Sequence, residues 1–348
     1  MSNPLILHHE RLGAQLDSTN SPLCYSDPVE EYWVVKKAAG MADLSNAGRL
    51  TITGKDRVSF LNGLLTNDFA HVKEDEGQHS ALLSLKARVL ADLYLYRQPD
   101  SILVDTGNSP ASKVKESLDR FVITEDVQIR DMTSDLVQIT IQGPTSSKTI
   151  KETLGIEVGD LRPLQHKPLG PSTIVCRDRT GQGGYDIILP SMEAEAVWQG
   201  FLLKAGDLGL RPVGARAMEI LRLEAGYPKY GVDVDDNTII LEAGFKDAIS
   251  FTKGCYMGQE VVARATHIGR VNKQLVKLEI EAMEPPSTQS KLKGDGVEAG
   301  FITSAAFSPG LGRVSSLGYV NRDYAKEGAK LSVEHGDRPL SALVTRVL

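Results

Sequence analysis

The 348-residue chain is 41% hydrophobic and 24% charged, with 39 Lys+Arg against 45 Asp+Glu and a formal net charge of −6. That composition excludes a disordered or fibrous chain, and the acidic balance argues against non-specific nucleic-acid binding as the main role. The length suggests two or three domains, each able to bury a core, and no apolar run approaches the ~18 residues of a membrane span. Only Pro4-Leu5-Ile6-Leu7 precedes the polar His8-His9-Glu10-Arg11, too little for a signal-peptide core. Cys24, Cys176 and Cys255 form neither a disulfide framework nor a CxxC site, which leads to the expectation of a reducing, cytoplasmic setting.

Along the chain, Arg49 to Thr53 alternates and stops at Gly54, as a strand ending in a turn does. Asp56 is placed to cap a helix whose stripe is Val58, Phe60, Leu61, Leu64 and Leu65. Val89–Tyr96 and Ser101–Val104 predict paired strands across Gln98-Pro99-Asp100. Pro110 to Arg120 predicts a helix, and Leu136 to Ile141 a buried strand stopped by Gly143-Pro144. A strand over Tyr185–Leu189 follows, then helices over Glu193–Ala205 and Gly214–Glu224, the last closed by Gly226. After Arg270 short strands recur between Gly and Ser clusters to Leu348, the pattern of a small all-β barrel or sandwich. Strands mixed with helices before that point make the class α+β.

The most informative stretch is Phe251 to Arg264, where Gly254 and Gly258 bracket a tight loop leading into a helix from Gln259. Cys255 lies in that loop, and Lys253 with the loop amides and helix dipole predicts a thiol whose pKa is depressed. A buried, inert cysteine is the alternative reading. Asp92 sits within the apolar strand Val89–Tyr96, sharing a face with Leu90, Tyr94 and Tyr96. A lone carboxylate there costs several kcal/mol unless paired, so it is a functional candidate, with a solvated sheet face as the alternative. Arg179 to Asp186 is a glycine-dense turn starting a strand; neither GxGxxG nor GxxxxGK[ST] occurs. The seven histidines show no metal-ligand spacing and are expected at the surface or in packing, His267 being the least settled.

Lys253-Gly-Cys-Tyr-Met-Gly-Gln-Glu260 resembles the KGCYxGQE signature of the YgfZ-type folate-binding proteins, relatives of the glycine-cleavage T-protein, an aminomethyltransferase. Gly40–Ser45, Gln142-Gly-Pro144, Arg222–Gly226 with Leu241–Gly244, and Gly300–Ser304 with Ser308-Pro309 extend the resemblance from about residue 30 to 325. It implies a three-domain ring: two interleaved α+β domains, about 1–49 with 133–232 and 50–132 with 233–271, then a small carboxy-terminal β-barrel over 272–348. It also implies a tetrahydrofolate ligand, or a one-carbon derivative of it. Cys255, Asp92 and Lys253 are then the catalytic candidates, with Asp92 facing the folate nitrogen; the T-protein's adjacent Asp-Asp pair is here Ala91-Asp92. Asp186, Arg216, Asn108, Tyr256 and Gln259 are the folate-binding candidates. Asp186 replaces a glutamate that grips the pterin, one methylene longer.

Three functions follow from the resemblance. The first is support of iron–sulfur cluster assembly or repair in client enzymes, including tRNA-modifying ones, with iron–sulfur client or assembly proteins as partners, Cys255 as the thiol and neither direct nucleic-acid nor membrane contact. The second is an aminomethyltransferase-type enzyme passing a one-carbon unit to tetrahydrofolate. The third is a non-catalytic, regulatory folate-binding module.

Overall fold

The computed structural model describes residues 3–267, 271–336 and 338–348. The chain divides into two compact units: 1–57, 71–78 and 94–221 form the first, and 58–70, 79–93 and 222–348 the second. The barrel falls in one unit with 58–70, 79–93 and the residues from 222 onward. The class is α+β with a closed carboxy-terminal barrel, as expected. Among the described residues no helix is long and apolar enough to cross a membrane.

The first unit is built on a six-stranded sheet ordered His166–Leu169, Ser172–Cys176, Gly184–Pro190, Leu136–Gln142, Ala39–Asp43 and Leu210–Pro212. All neighbours are antiparallel except the last pair. Ile139, Ile141, Ile187 and Leu189 point from the central strands into a core that is filled by Trp198 and Phe201 of the helix Ala194–Leu208. That helix ends where Gly209 takes φ +65°, a left-handed conformation open to glycine at no steric cost. The helix Pro28–Lys37 starts on Asp27, whose carboxylate accepts from the Val29 amide at 2.7 Å.

A second sheet is ordered Gly77–Leu83, Val89–Arg97, Ile102–Gly107, Gly48–Thr53 and Gln128–Asp131. Along Val89–Arg97 burial alternates as the sequence predicts: Val89, Ala91, Leu93 and Leu95 are buried, while Leu90, Asp92 and Tyr94 are half-buried. Tyr96 departs from the pattern, being buried against Leu103, Val175 and Ile188.

The second unit contains the closed barrel of six strands, Lys273–Ile280, Arg313–Asn321, Val297–Ser308, Lys291–Gly294, Lys330–Val333 and Leu340–Val347. Closure leaves no strand edge unpaired around the ring. Alternate residues such as Val276, Leu278, Ile280, Val314 and Val344 fill the interior. A buried carboxylate joins this barrel to the segment before it. Asp233 accepts from Arg222 Nη1 at 2.7 Å and the Lys229 amide at 3.0 Å on one oxygen, and from the hydroxyls of Thr303 at 2.5 Å and Ser304 at 2.6 Å on the other. Leu223 packs in the same place against Leu275, Leu317 and Tyr319. All four donors saturate a charge that would otherwise be costly to bury.

Candidate functional site

In the second unit, the loop Phe251–Gly258 precedes the helix Gln259–His267, as the sequence predicts. Gly258 takes φ +82°, and a Cβ there would stand 2.7 Å from the Ser84 carbonyl, so only glycine lets the loop pass this close to residues 84–87. Cys255 is exposed, which excludes the buried-cysteine alternative. Lys253 is not a companion to that thiol. Its ammonium donates to the carbonyls of Asn62 at 2.6 Å, Leu65 at 2.8 Å and Asn67 at 2.8 Å, which uses all three of its N–H groups. Burial pulls its pKa down to about 8, and the side chain acts as a fastener for the turn at 62–67. Tyr256 also differs from its expected role: it is buried in the cluster of Phe245, Ala248, Ile249 and Val262, so it packs the unit's core. Gln259 opens the helix and is half-buried. The side chain of His267 lies outside the described residues.

Asp92 belongs to this unit and is not alone. Its Oδ1 lies 2.5 Å from Nε2 of His79, and His79 Nδ1 lies 3.1 Å from Oδ2 of Asp247. The His79 ring is buried, edge-on to Phe245 with centroids 5.3 Å apart. Burial disfavours the imidazolium, but Asp92 and then Asp247 outweigh it and push the His79 pKa up to about 9. The sequence alone places this histidine at the surface or in packing; its pairing with Asp92 is the principal feature that sequence reasoning missed. A signal was present: a hairpin folding back at Ser84–Arg88 returns residues near 79 to the neighbourhood of residues near 92.

In the first unit, Asp186 is fully buried and lies within an arginine network. Arg179 Nε stands 3.0 Å from both of its oxygens and Nη2 stands 2.7 Å from Oδ2, while Gln138 Nε2 donates to Oδ2 at 2.9 Å. Asp105 accepts from Arg177, from Arg179 at 3.1 Å and from Gln138 at 3.2 Å. Despite burial, Arg177 and Arg179 hold the Asp105 carboxyl well below the usual carboxylate range. The Arg177 guanidinium also lies over the Tyr94 ring, 3.4 Å from its centroid. A pterin is gripped by a carboxylate edge that accepts from its amide and amino groups; at Asp186 that edge is already given to Arg179 and Gln138. The donor set at this position therefore does not fit the expected pterin clamp as it stands.

Arg216 is exposed on the helix Ala215–Ala225, with Nη1 3.9 Å from Cys24 Sγ. Asn108 is exposed in the turn between the strand Ile102–Gly107 and the helix Ala111–Asp119. Within the second unit the structure thus brings Asp92 to His79 and Asp247, and keeps Lys253, Cys255 and Tyr256 in one loop with Gln259 at the start of the helix that follows. Within the first it gathers Asp186 with Arg177, Arg179 and Asp105, partners that the sequence alone does not reveal. A lone Asp105 inside the apolar strand Ile102–Gly107 was the available signal, of the same kind that singled out Asp92.

Residues 9–253 match the model of the GCVT N-terminal domain, and residues 273–347 match that of the glycine cleavage T-protein C-terminal barrel domain. An aminomethyltransferase of Desulfitobacterium hafniense is 29% identical over 338 residues, covering 95% of this chain and 92% of that protein. One of Thermotoga maritima is 28% identical over 352 residues, covering 99% and 96%. The crystal structure of the glycine cleavage system aminomethyltransferase T of Bartonella henselae superposes with a TM-score of 0.92 at 25% identity, covering 99% of this chain and 96% of that one. On the two domain matches, spanning nearly its whole length, the chain belongs to the glycine-cleavage T-protein (GcvT) family.

Proposed function

We propose that this protein is a tetrahydrofolate-dependent transferase of the aminomethyltransferase type, passing a one-carbon unit to the folate. The observation that carries the reading is the half-buried Asp92 carboxylate held by His79, on a chain that matches relatives of that name along 95% of its length. Tetrahydrofolate enters as the substrate that accepts the one-carbon unit and supplies the reacting nitrogens. The chain supplies a fixed carboxylate at Asp92 to hold or accept a proton and to offset developing positive charge. Asp186 is given no role in folate recognition, since its oxygens belong to Arg179 and Gln138. The test is formation of methylenetetrahydrofolate from an aminomethylated lipoyl carrier and tetrahydrofolate, with release of ammonia and of the carrier as the dihydrolipoyl thiol. Activity in the wild type that falls by about 10²-fold or more in Asp92→Asn supports the reading; no product from wild type ends it.

A second reading, of the YgfZ type, is favoured by the exposure of Cys255 in the KGCYxGQE-like loop. There the protein serves iron–sulfur client or assembly proteins in the cytoplasm, including tRNA-modifying enzymes, and the thiolate is a soft ligand or nucleophile. Restoration of iron–sulfur enzyme activity in a strain lacking this protein, lost with Cys255→Ala and kept with Asp92→Asn, selects it over the first.

A further inference from the structure

We infer that His79 is a positioning residue for Asp92: a ring held between Asp92 and Asp247 that keeps the Asp92 carboxylate fixed in direction. The inference rests on Asp92 being the acid/base group proposed above and assigns roles to two residues outside the family motifs.

The geometry is that of a charged clamp. Oδ1 of Asp92 is 2.5 Å from Nε2 and Oδ2 of Asp247 is 3.1 Å from Nδ1, so each ring nitrogen faces a carboxylate. An imidazolium hydrogen-bonds Asp92 through Nε2 and attracts Asp247 across the 3.1 Å ion pair at Nδ1, whereas a neutral ring offers Asp247 no charge. The three side chains are graded in exposure, 5% for His79, 16% for Asp92 and 77% for Asp247. The stronger constraint is therefore on Asp92, where water competes least. Asp247 adds a second, weaker attraction from the ring's outer side.

The frame around the ring is fixed by neutral groups. Asn67 Nδ2 donates to the backbone carbonyls of His79 at 2.9 Å and Asp247 at 2.8 Å, so one amide locks the strand Gly77–Leu83 to the turn Lys246–Ala248. The Phe245 ring meets the imidazole edge-on. Among the described residues, the charged groups acting on the His79 ring are Asp92 from the strand Val89–Arg97 and Asp247 from the turn, with Phe245 packed against its edge. A histidine serving packing alone has no need of carboxylates on both nitrogens.

The test is an NMR pH titration of the His79 ring in the full-length protein, with Asp92→Asn and Asp247→Asn alongside. Asp247 is exposed, so its substitution leaves the fold intact. In the wild type both ring nitrogens should carry protons at neutral pH, and each substitution should lower the titration midpoint, Asp92→Asn by more. A wild-type midpoint at the ordinary histidine value, or one unmoved by either substitution, overturns the clamp. In the one-carbon assay, His79→Gln should lower kcat at least about tenfold with little change in KM for tetrahydrofolate; full activity in that variant overturns the positioning role. A wild type without transfer activity but with the expected titration retains the clamp and rejects the transferase reading instead.

Discussion

Arg179 binds Asp186 through two nitrogens, Nη2 at 2.7 Å from Oδ2 and Nε at 3.0 Å from both oxygens. In this chain Asp186 is an internal counter-ion. The consequence is structural: Arg179 is the bridge that keeps Asp186 and Asp105 compensated.

Replacing Arg179 by Met should therefore destabilise the protein by about 3–5 kcal/mol, because breaking a buried pair strands a desolvated charge. Urea unfolding checks this. Asp186→Asn should cost less, since the amide still accepts from Arg179.

Lys253 should likewise prove a stability residue. Lys253→Met keeps the aliphatic stem and removes three N–H donors from the carbonyls of Asn62, Leu65 and Asn67. A loss of about 2–4 kcal/mol is expected. Thiol-labelling rates of Cys255 at fixed pH, measured where the variant is folded, should change little, because the ammonium is committed elsewhere.

The three cysteines should separate cleanly under alkylation. Cys255 is exposed, Cys24 is buried, and Cys176 is half-buried with its thiol pKa raised by burial and then by Asp178. Timed iodoacetamide labelling read by peptide mass spectrometry should show Cys255 modified at least about tenfold faster than the other two. Comparable rates would contradict the placement of the loop.

Acid sensitivity should trace partly to His166. Its ring is buried beside Tyr96. Burial lowers its pKa below 6.5, opposed by Asp75 and by a backbone hydrogen bond with Arg97. The unfolded chain then binds a proton that the folded chain refuses, so stability is unaffected above the ordinary value and falls as pH drops below it. His166→Phe should flatten that acid limb in denaturant unfolding compared at pH values of about 7.5 and 5.5.

The fold was legible wherever one residue type dominated a local pattern. Alternation along Val89–Arg97 and the Gly- and Ser-punctuated strands after residue 271 reappear in the structure, and the helix after Gly258 starts at Gln259. The site was less legible. Asp92 stood out as a carboxylate in an apolar strand, but its partners, His79 and Asp247, lie 13 residues before it and 155 after it. Only the tertiary fold brings them together. Lys253 and Tyr256 misled for the opposite reason. Adjacent to the cysteine in sequence, they send their side chains inward, to carbonyl oxygens and to the Phe245 cluster.

The Asp233 junction bears on how the molecule can be dissected. Cutting the chain ahead of Lys273 would remove Asp233 and Arg222 from the barrel, leave the Thr303 and Ser304 hydroxyls without their acceptor, and uncover Leu275, Leu317 and Tyr319 where Leu223 had lain. The carboxy-terminal ring is thus closed in its strand pairing yet incomplete as a module, and an excised version would be poorly soluble unless residues 222–233 travelled with it.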